Sequence, residues 1–373
     1  MIQYEIERLL KAKNDIAQSI IDKGVDVPSD IRIDEYSSLI DKIEQGGGGE
    51  RWHCKNPLCI YTKQQYSRTI TINRDRLLDC EISYDGENWT EAPASVIIRK
   101  ADGSNDKFYL RAVLVTLGNT SSVVANKNTD VFITGDVSSL IEGTRGKLYP
   151  YCLQSAFNGV TSTIDELVLP NDDTVYNYSF QQMFYGCTNM TKTPSMASYK
   201  TIKAYGCSEM YSGCSYITTG PADFNPETLS GTYCCYRMFY GCTRMTTAME
   251  TLPITSTIGD RCAYQMFFNC STLTKAPEIH GTPTTTTSIY GMFQNCAAIT
   301  EVKLMDNISV ANYANQIFYG CASLNDIYCH NTTSLSIASW FNTSTKQTGT
   351  LHKKAGVDLT GLPSGWTVVE DLE

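Results

Sequence analysis

The sequence is short of charge. Only 18% of its 373 residues are Asp, Glu, Lys or Arg, against about a quarter in ordinary globular chains. Four histidines leave few candidates for acid–base work. The net charge of −9 speaks against a phosphate-reading nucleic-acid binder, which needs a basic face. Long apolar runs are missing too. No stretch reaches the roughly 18 residues of a membrane-spanning helix, so no membrane insertion is expected. Residues 1–23 carry charges throughout and lack the apolar core of a signal peptide. The first cysteine is Cys54, too late for a lipoprotein signal. The chain is therefore expected to be made in a reducing cytoplasm with its thiols free. No Gly-x-x-x-x-Gly-Lys-Ser/Thr loop, His-Glu-x-x-His helix or Gly-x-Ser-x-Gly elbow occurs, so the residues point away from an enzyme.

What the sequence does hold is cysteine, tyrosine and threonine, unevenly spread. Twelve of the 15 cysteines fall in residues 151–350, where only 22 of 200 residues are charged. Residues 1–50 have 17 charged residues. In that first zone Ile2, Ile6, Leu9, Lys13, Ile16 and Ile20 recur at spacings of 4 and 3, which predicts a helix over 3–23 stopped by Gly24. A shorter helix is expected from Asp34 to Ile43. The a/d-like spacing fits a coiled coil joining identical chains as a dimer or trimer, or a two-helix cap folded on itself. Both readings stay open. Gly46 to Gly49 follow as a linker. Residues 51–150 read as a β domain: Asp85-Gly86 is a hairpin signal, and Val96-Ile97-Ile98, Phe108-Tyr109-Leu110, Val113-Leu114-Val115 and Val131-Phe132-Ile133 are short strands.

Residues 151–350 repeat. Met183-Phe184-Tyr185-Gly186-Cys187 returns as Met210-Tyr211-Ser212-Gly213-Cys214 and Met238-Phe239-Tyr240-Gly241-Cys242. Met266-Phe267-Phe268-Asn269-Cys270, Met292-Phe293-Gln294-Asn295-Cys296 and Ile317-Phe318-Tyr319-Gly320-Cys321 complete the series. The cysteine intervals are 27, 28, 28, 26 and 25, a period that means stacked repeats. Degenerate copies stand at Phe157 to Val160 and at Trp340 to Asn342. Three residues after each cysteine comes an apolar residue: Met190, Ile217, Met245, Leu273, Ile299 or Leu324. Strands follow in several copies, such as Ile299-x-x-Val302-x-Leu304. Pro194, Pro221 and Pro277 are expected to end their strands. The Met-Phe run is expected to be a tight helical turn that Gly or Asn leaves in a left-handed conformation.

These units resemble BspA-like leucine-rich repeats over about 200 residues, with their aromatic-x-Gly-Cys-x-x-Leu core. The closing Gly361-Leu362-Pro363-Ser364-Gly365-Trp366-Thr367-Val368-Val369 resembles the tail of such arrays. The first 45 or so residues, in which Ala17 to Val27 precede an acidic-aromatic helix from Ile33 to Ile43 and a Gly-rich linker, resemble the N-terminal segment of phage fibre and baseplate-type proteins. The resemblances imply a mainly β, multi-domain chain: a helical anchor (1–45), a linker (46–50), a small β-sandwich-like domain (51–150), a leucine-rich-repeat solenoid (151–350) and a C-terminal cap (351–373). They imply a virion surface protein, a head or tail fibre, that docks on other virion proteins through Ile2, Ile6, Leu9, Ile16 and Ile20 as a homo-oligomer and adheres to a host-surface glycan or protein. The alternatives are a bacterial cell-surface adhesin and, further off, a polysaccharide-degrading fibre enzyme.

The same residues carry the candidate chemistry. The repeat cysteines suit a column of small core groups, with a disulfide or metal ladder as the other readings. His53, Cys54, Cys59 and Cys80 are too loosely spaced for zinc. Cys329-His330 point to opposite faces of a strand. Asp165/Glu166 and Asp172/Asp173 are expected to be a solvated cap. No metal or cofactor is expected. The position after the motif aromatic holds Tyr185, Tyr240, Phe268 and Tyr319. Facing out, these four would form a binding stripe; facing along the axis, they would pack on the neighbouring repeat.

Overall fold

A computed structural model describes residues 53–373 apart from 65, 99–105, 115–121, 126–127, 145, 254–258, 282–286, 307–315 and 343. The predicted N-terminal helices, and with them Ile2, Ile6, Leu9, Ile16 and Ile20, lie outside the described residues. The protein is mainly β. Among the described residues the helical pieces are short 3₁₀ turns at Arg74–Arg76, Val137–Leu140, Glu142–Thr144 and Ala338–Trp340.

The first part holds β1 (Leu58–Thr62), β2 (Arg68–Ile72), β3 (Leu77–Ser83), β4 (Thr90–Glu91), β5 (Ser95–Ile98), β6 (Lys107–Leu114), β7 (Val124–Ala125) and β8 (Val131–Asp136). β1, β2, β5 and β8 bury alternate residues on one side, as in the buried Val131, Ile133 and Gly135 of β8. The two short strands expected at 108–110 and 113–115 are one strand, β6, as far as Leu114, where the described segment ends. The hairpin expected at Asp85-Gly86 joins β3 to β4. Its loop closes on the Asp85 carboxylate, which accepts from the amides of Glu87 and Asn88, the Asn88 side chain and Ser83. Those donors hold Asp85 well below the usual carboxylate range.

No break separates this module from the repeats. The first repeat supplies β9 (Thr163–Val168), which pairs in parallel with β8 and completes a sheet of order β4-β3-β6-β1-β8-β9. A second sheet runs β5-β2-β7. Residues 53–373 form one compact unit.

Short extended stretches flank the motif in the later repeats. Before its Met-Phe motif stand β10 (Thr174–Val175), β11 (Thr201–Ile202) and β12 (Thr228–Leu229), paired in parallel. After the motif stand β13 (Thr251–Pro253), β14 (Glu278–His280), β15 (Glu301–Leu304) and β16 (Asp326–Cys329), again parallel. β17 (Leu335–Ser336) and β19 (Leu359–Thr360) pair in parallel with each other, while β18 (Thr348–Lys354) and β20 (Gly365–Leu372) extend the larger sheet. Pro277 precedes β14 rather than ending a strand, because the parallel register of this repeat begins one residue later, at Glu278.

The motif is not a helical turn. Every second amide donates within its repeat to the carbonyl three residues back: Gln181 to Tyr178, Met183 to Phe180, Tyr185 to Gln182. The alternate amides donate to the next repeat: Phe180 to Gly206, Gln182 to Ser208, Phe184 to Met210. A helix would spend both sets internally. This chain of turns needs a left-handed residue at every fourth position, as at Tyr178 (φ 63°), Gln182 (φ 54°) and Gly186 (φ 69°). The expected left-handed exit is present at Gly186, Gly213, Gly241, Asn269, Asn295 and Gly320.

The core is built of columns. Phe157, Phe184, Tyr211, Phe239, Phe267 and Phe293 are fully buried and stack at 5.3–5.6 Å between ring centroids. Beside them the motif cysteines are buried, each thiol donating to the carbonyl of the motif aromatic one repeat earlier. Cys187 bonds Phe157, Cys214 bonds Phe184, Cys242 bonds Tyr211, Cys270 bonds Phe239, Cys296 bonds Phe267 and Cys321 bonds Phe293, at 2.9–3.2 Å. In the last repeat the hydroxyl of Thr345 takes the same place on Phe318, at 2.7 Å. Cysteine here fills space and supplies a donor where the alternating backbone pattern leaves a carbonyl lone pair free.

Candidate binding face

The turn face carries ladders of side chains. Tyr151, Tyr178, Tyr205 and Tyr233 occupy one left-handed position in successive repeats. Their rings stack at 4.5, 4.6 and 4.8 Å, within 11° of parallel. At Tyr233 the column steps sideways: Tyr236 meets it edge-on at 5.2 Å, then Tyr264 and Tyr290 continue at 5.5 and 4.9 Å. The first column ends under the Arg261 guanidinium, 5.4 Å from the Tyr233 centroid and bonded to its hydroxyl.

A polar ladder runs alongside. Gln154 donates to Gln181 (2.6 Å), Gln182 to Glu209 (2.9 Å), and Arg237 gives two bonds to Gln265 (2.7 and 2.9 Å). Arg237 also lies 5.0 and 5.1 Å from the centroids of Tyr236 and Tyr240. These side chains are paired across neighbouring repeats, so the face is ordered before anything binds.

The expected stripe is only partly assembled. Tyr240 and Phe268 stack at 4.8 Å and are half-buried. Tyr185 is 40% exposed, but the next repeat places buried Ser212 at that position. Tyr319 stands half-buried two repeats beyond Phe268, with Gln294 between. The tyrosine ladder, by contrast, escaped the reading above, although its 27- and 28-residue intervals match those of the cysteines.

The chemical candidates stay apart. Among the described residues the close grouping of ligating side chains is Cys234, Cys235 and Cys262, and Cys234 is joined to Cys262 by a disulfide with a Cα separation of 4.7 Å. This corrects the expectation of uniformly free thiols: the two cysteines occupy one position in adjacent repeats, and stacking brings them within bonding reach. His53 bonds Glu142 at 3.1 Å instead of joining Cys54, Cys59 and Cys80. Burial pushes Cys54 up to about 12 and Cys59 and Cys80 to about 11. Cys329 is turned into the core and rises to about 11, so it presents no thiolate to His330. Asp165 and Glu166 line a groove of about 220 Å³ with Lys192 and Ser195. A larger groove, about 360 Å³, runs past Glu250, Lys275, Glu278, Glu301 and Lys303. There Lys303 pairs with Glu278 at 3.0 Å and Glu301 at 3.8 Å, and the Lys303 bond lowers the Glu278 pKa. A carboxylate held ionised in this way is a poor proton donor.

In comparison with known proteins, no family model, no curated protein and no solved structure matches this chain.

Proposed function

We propose that the protein is a bacteriophage virion surface protein, a head or tail fibre component, whose stacked repeats are a BspA-like leucine-rich-repeat solenoid that adheres to the host surface without catalysing a reaction. In this reading the N-terminal segment docks on other virion proteins as a dimer or trimer, and the repeats point outward to a host glycan or surface protein. The observation that carries it is the turn face: seven surface tyrosines in two stacked runs that meet at Tyr233 and Tyr236. Rigid aromatic side chains are frequent anchors of binding surfaces.

The test has two parts. Mass spectrometry of purified phage particles should find this chain as a stoichiometric component, and added full-length protein should slow particle adsorption to host cells. Its absence from particles together with its presence on the bacterial envelope would replace this reading by the bacterial adhesin.

A further inference from the structure

Stacking constrains what the tyrosine ladder can hold. A sugar or aromatic ligand that needs the face of a ring finds the interior faces covered: Tyr178, Tyr205 and Tyr264 are sandwiched between rings at 4.5–5.5 Å, and Arg261 and Arg237 lie over Tyr233 and Tyr236. What remains open is the ring edge and the hydroxyl. Tyr233 uses its hydroxyl on Arg261, and the buried Tyr199 uses its own on the Pro170 carbonyl. The hydroxyls of Tyr151, Tyr178, Tyr205, Tyr236, Tyr264 and Tyr290 have no partner among the described residues. They form a row of free donors and acceptors, one to each repeat.

We propose that this hydroxyl row is a recognition surface whose ligand is a linear polysaccharide lying along the axis on which the repeats stack. This rests on the adhesion reading and adds the surface and the ligand class. A polymer that presents hydroxyls at a regular interval gains one contact for each repeat it passes, whereas a single sugar gains one in all. A protein partner would need a repeat of its own to offer such a series of hydroxyls. The flanking ladder suits the same ligand: Gln182, Glu209, Arg237 and Gln265 are planar polar groups that pair with sugar hydroxyls, and they are already fixed by one another. The row passes basic Arg237 and Arg261 but also Glu209 and Asp260, so it selects for hydroxyls along a line rather than for charge. Burial against their neighbours shifts the Tyr178, Tyr205 and Tyr290 hydroxyls upward, further from ionisation than an ordinary tyrosine.

The full-length chain would be titrated against graded-length oligosaccharides of β-1,4-glucan, chitin, mannan and hyaluronan, beside the triple variant Tyr178→Phe, Tyr205→Phe, Tyr264→Phe. That variant keeps the rings and their stacking and removes three hydroxyls. Affinity should rise with chain length for at least one polymer and fall at least tenfold in the triple variant, at an unchanged melting temperature, since three net hydrogen bonds of about 0.5–1.5 kcal/mol each are lost. Length-independent binding, equal affinity of the variant, or no binding to any of the polymers overturns the proposal. A parallel adsorption assay separates the two ideas. If wild type and variant block particle adsorption equally, the hydroxyl row falls and adhesion stands. If neither blocks adsorption while the length-dependent, hydroxyl-dependent binding persists, the row stands and the adhesion reading falls.

Discussion

The module at residues 53–150 and the repeats after it satisfy their buried backbone in opposite ways. In the module each solution is used once. Arg68 pairs with Asp130, Asp85 closes one loop, and buried Arg76 donates to the carbonyls of Gln154 and Ser155. In the repeats one solution is used at every level, so that amide, thiol and ring of one repeat each have a counterpart in the next. The two schemes meet at the first repeat. Its outward carbonyls have no earlier repeat to pair with, and Arg76 takes Gln154 while the Val123 amide and Ser122 hydroxyl take Ala156. A repeating stack needs an end that does not repeat.

The largest effect expected from this contrast is alkaline unfolding driven by the repeats. Burial raises Cys152, Cys235, Cys270 and Cys321 from 9.0 to about 12, and Cys207, Cys214, Cys242 and Cys296 well above 9.0. Below pH 9 these thiols are protonated in both states, and their contribution to stability is fully present. As the pH rises from there towards about 12, the unfolded chain ionises first, and each thiol withdraws about 1.4 kcal/mol per pH unit. The module supplies three such thiols, the repeats the remainder. Denaturant midpoints measured across this range should collapse; a flat curve would break the account of the thiol column.

Next comes the junction. Arg76→Ala leaves the Gln154 carbonyl without its donor and opens a cavity, and should cost about 3–5 kcal/mol by urea unfolding. A loss under about 1 kcal/mol would mean that the first repeat needs no cap. Smaller is the end of the thiol column: Thr345→Val should cost about 1–2 kcal/mol, and Thr345→Cys should restore most of it. If the valine variant is as stable as wild type, the donor is dispensable and only volume matters. The smallest effect has the opposite sign. Tyr211 interrupts the buried phenylalanine column with a hydroxyl that has no hydrogen-bond partner among the described residues, so Tyr211→Phe should raise stability by about 1 kcal/mol.

How much of this was legible follows from which interactions leave a trace in composition. The period, the inward cysteines and the Gly or Asn exits are visible because each demands a particular residue type at a fixed interval. The parallel strands at Val302 and Ile327 are visible for the same reason. The turn chain was hidden because Gln182, Glu209, Arg237 and Gln265 adopt left-handed backbone that local propensity does not mark; only the hydrogen bonds between repeats make it stable. The tyrosine ladder was available at the cysteine period, but its sideways step at Tyr233 and Tyr236 disguises it as two unrelated sets. The Cys234–Cys262 bond depends on stacking register, which spacing alone does not give. The Thr345 hydroxyl in place of a thiol has no local signature either.

The central claim is that the repeats present a surface and do not turn over a substrate. It is tested most directly by incubating full-length protein with host cells and measuring, in the same samples, bound protein and newly released reducing sugar ends. Saturable binding with no rise in reducing ends is the result this account predicts. Reducing ends that accumulate with time in proportion to added protein would contradict it.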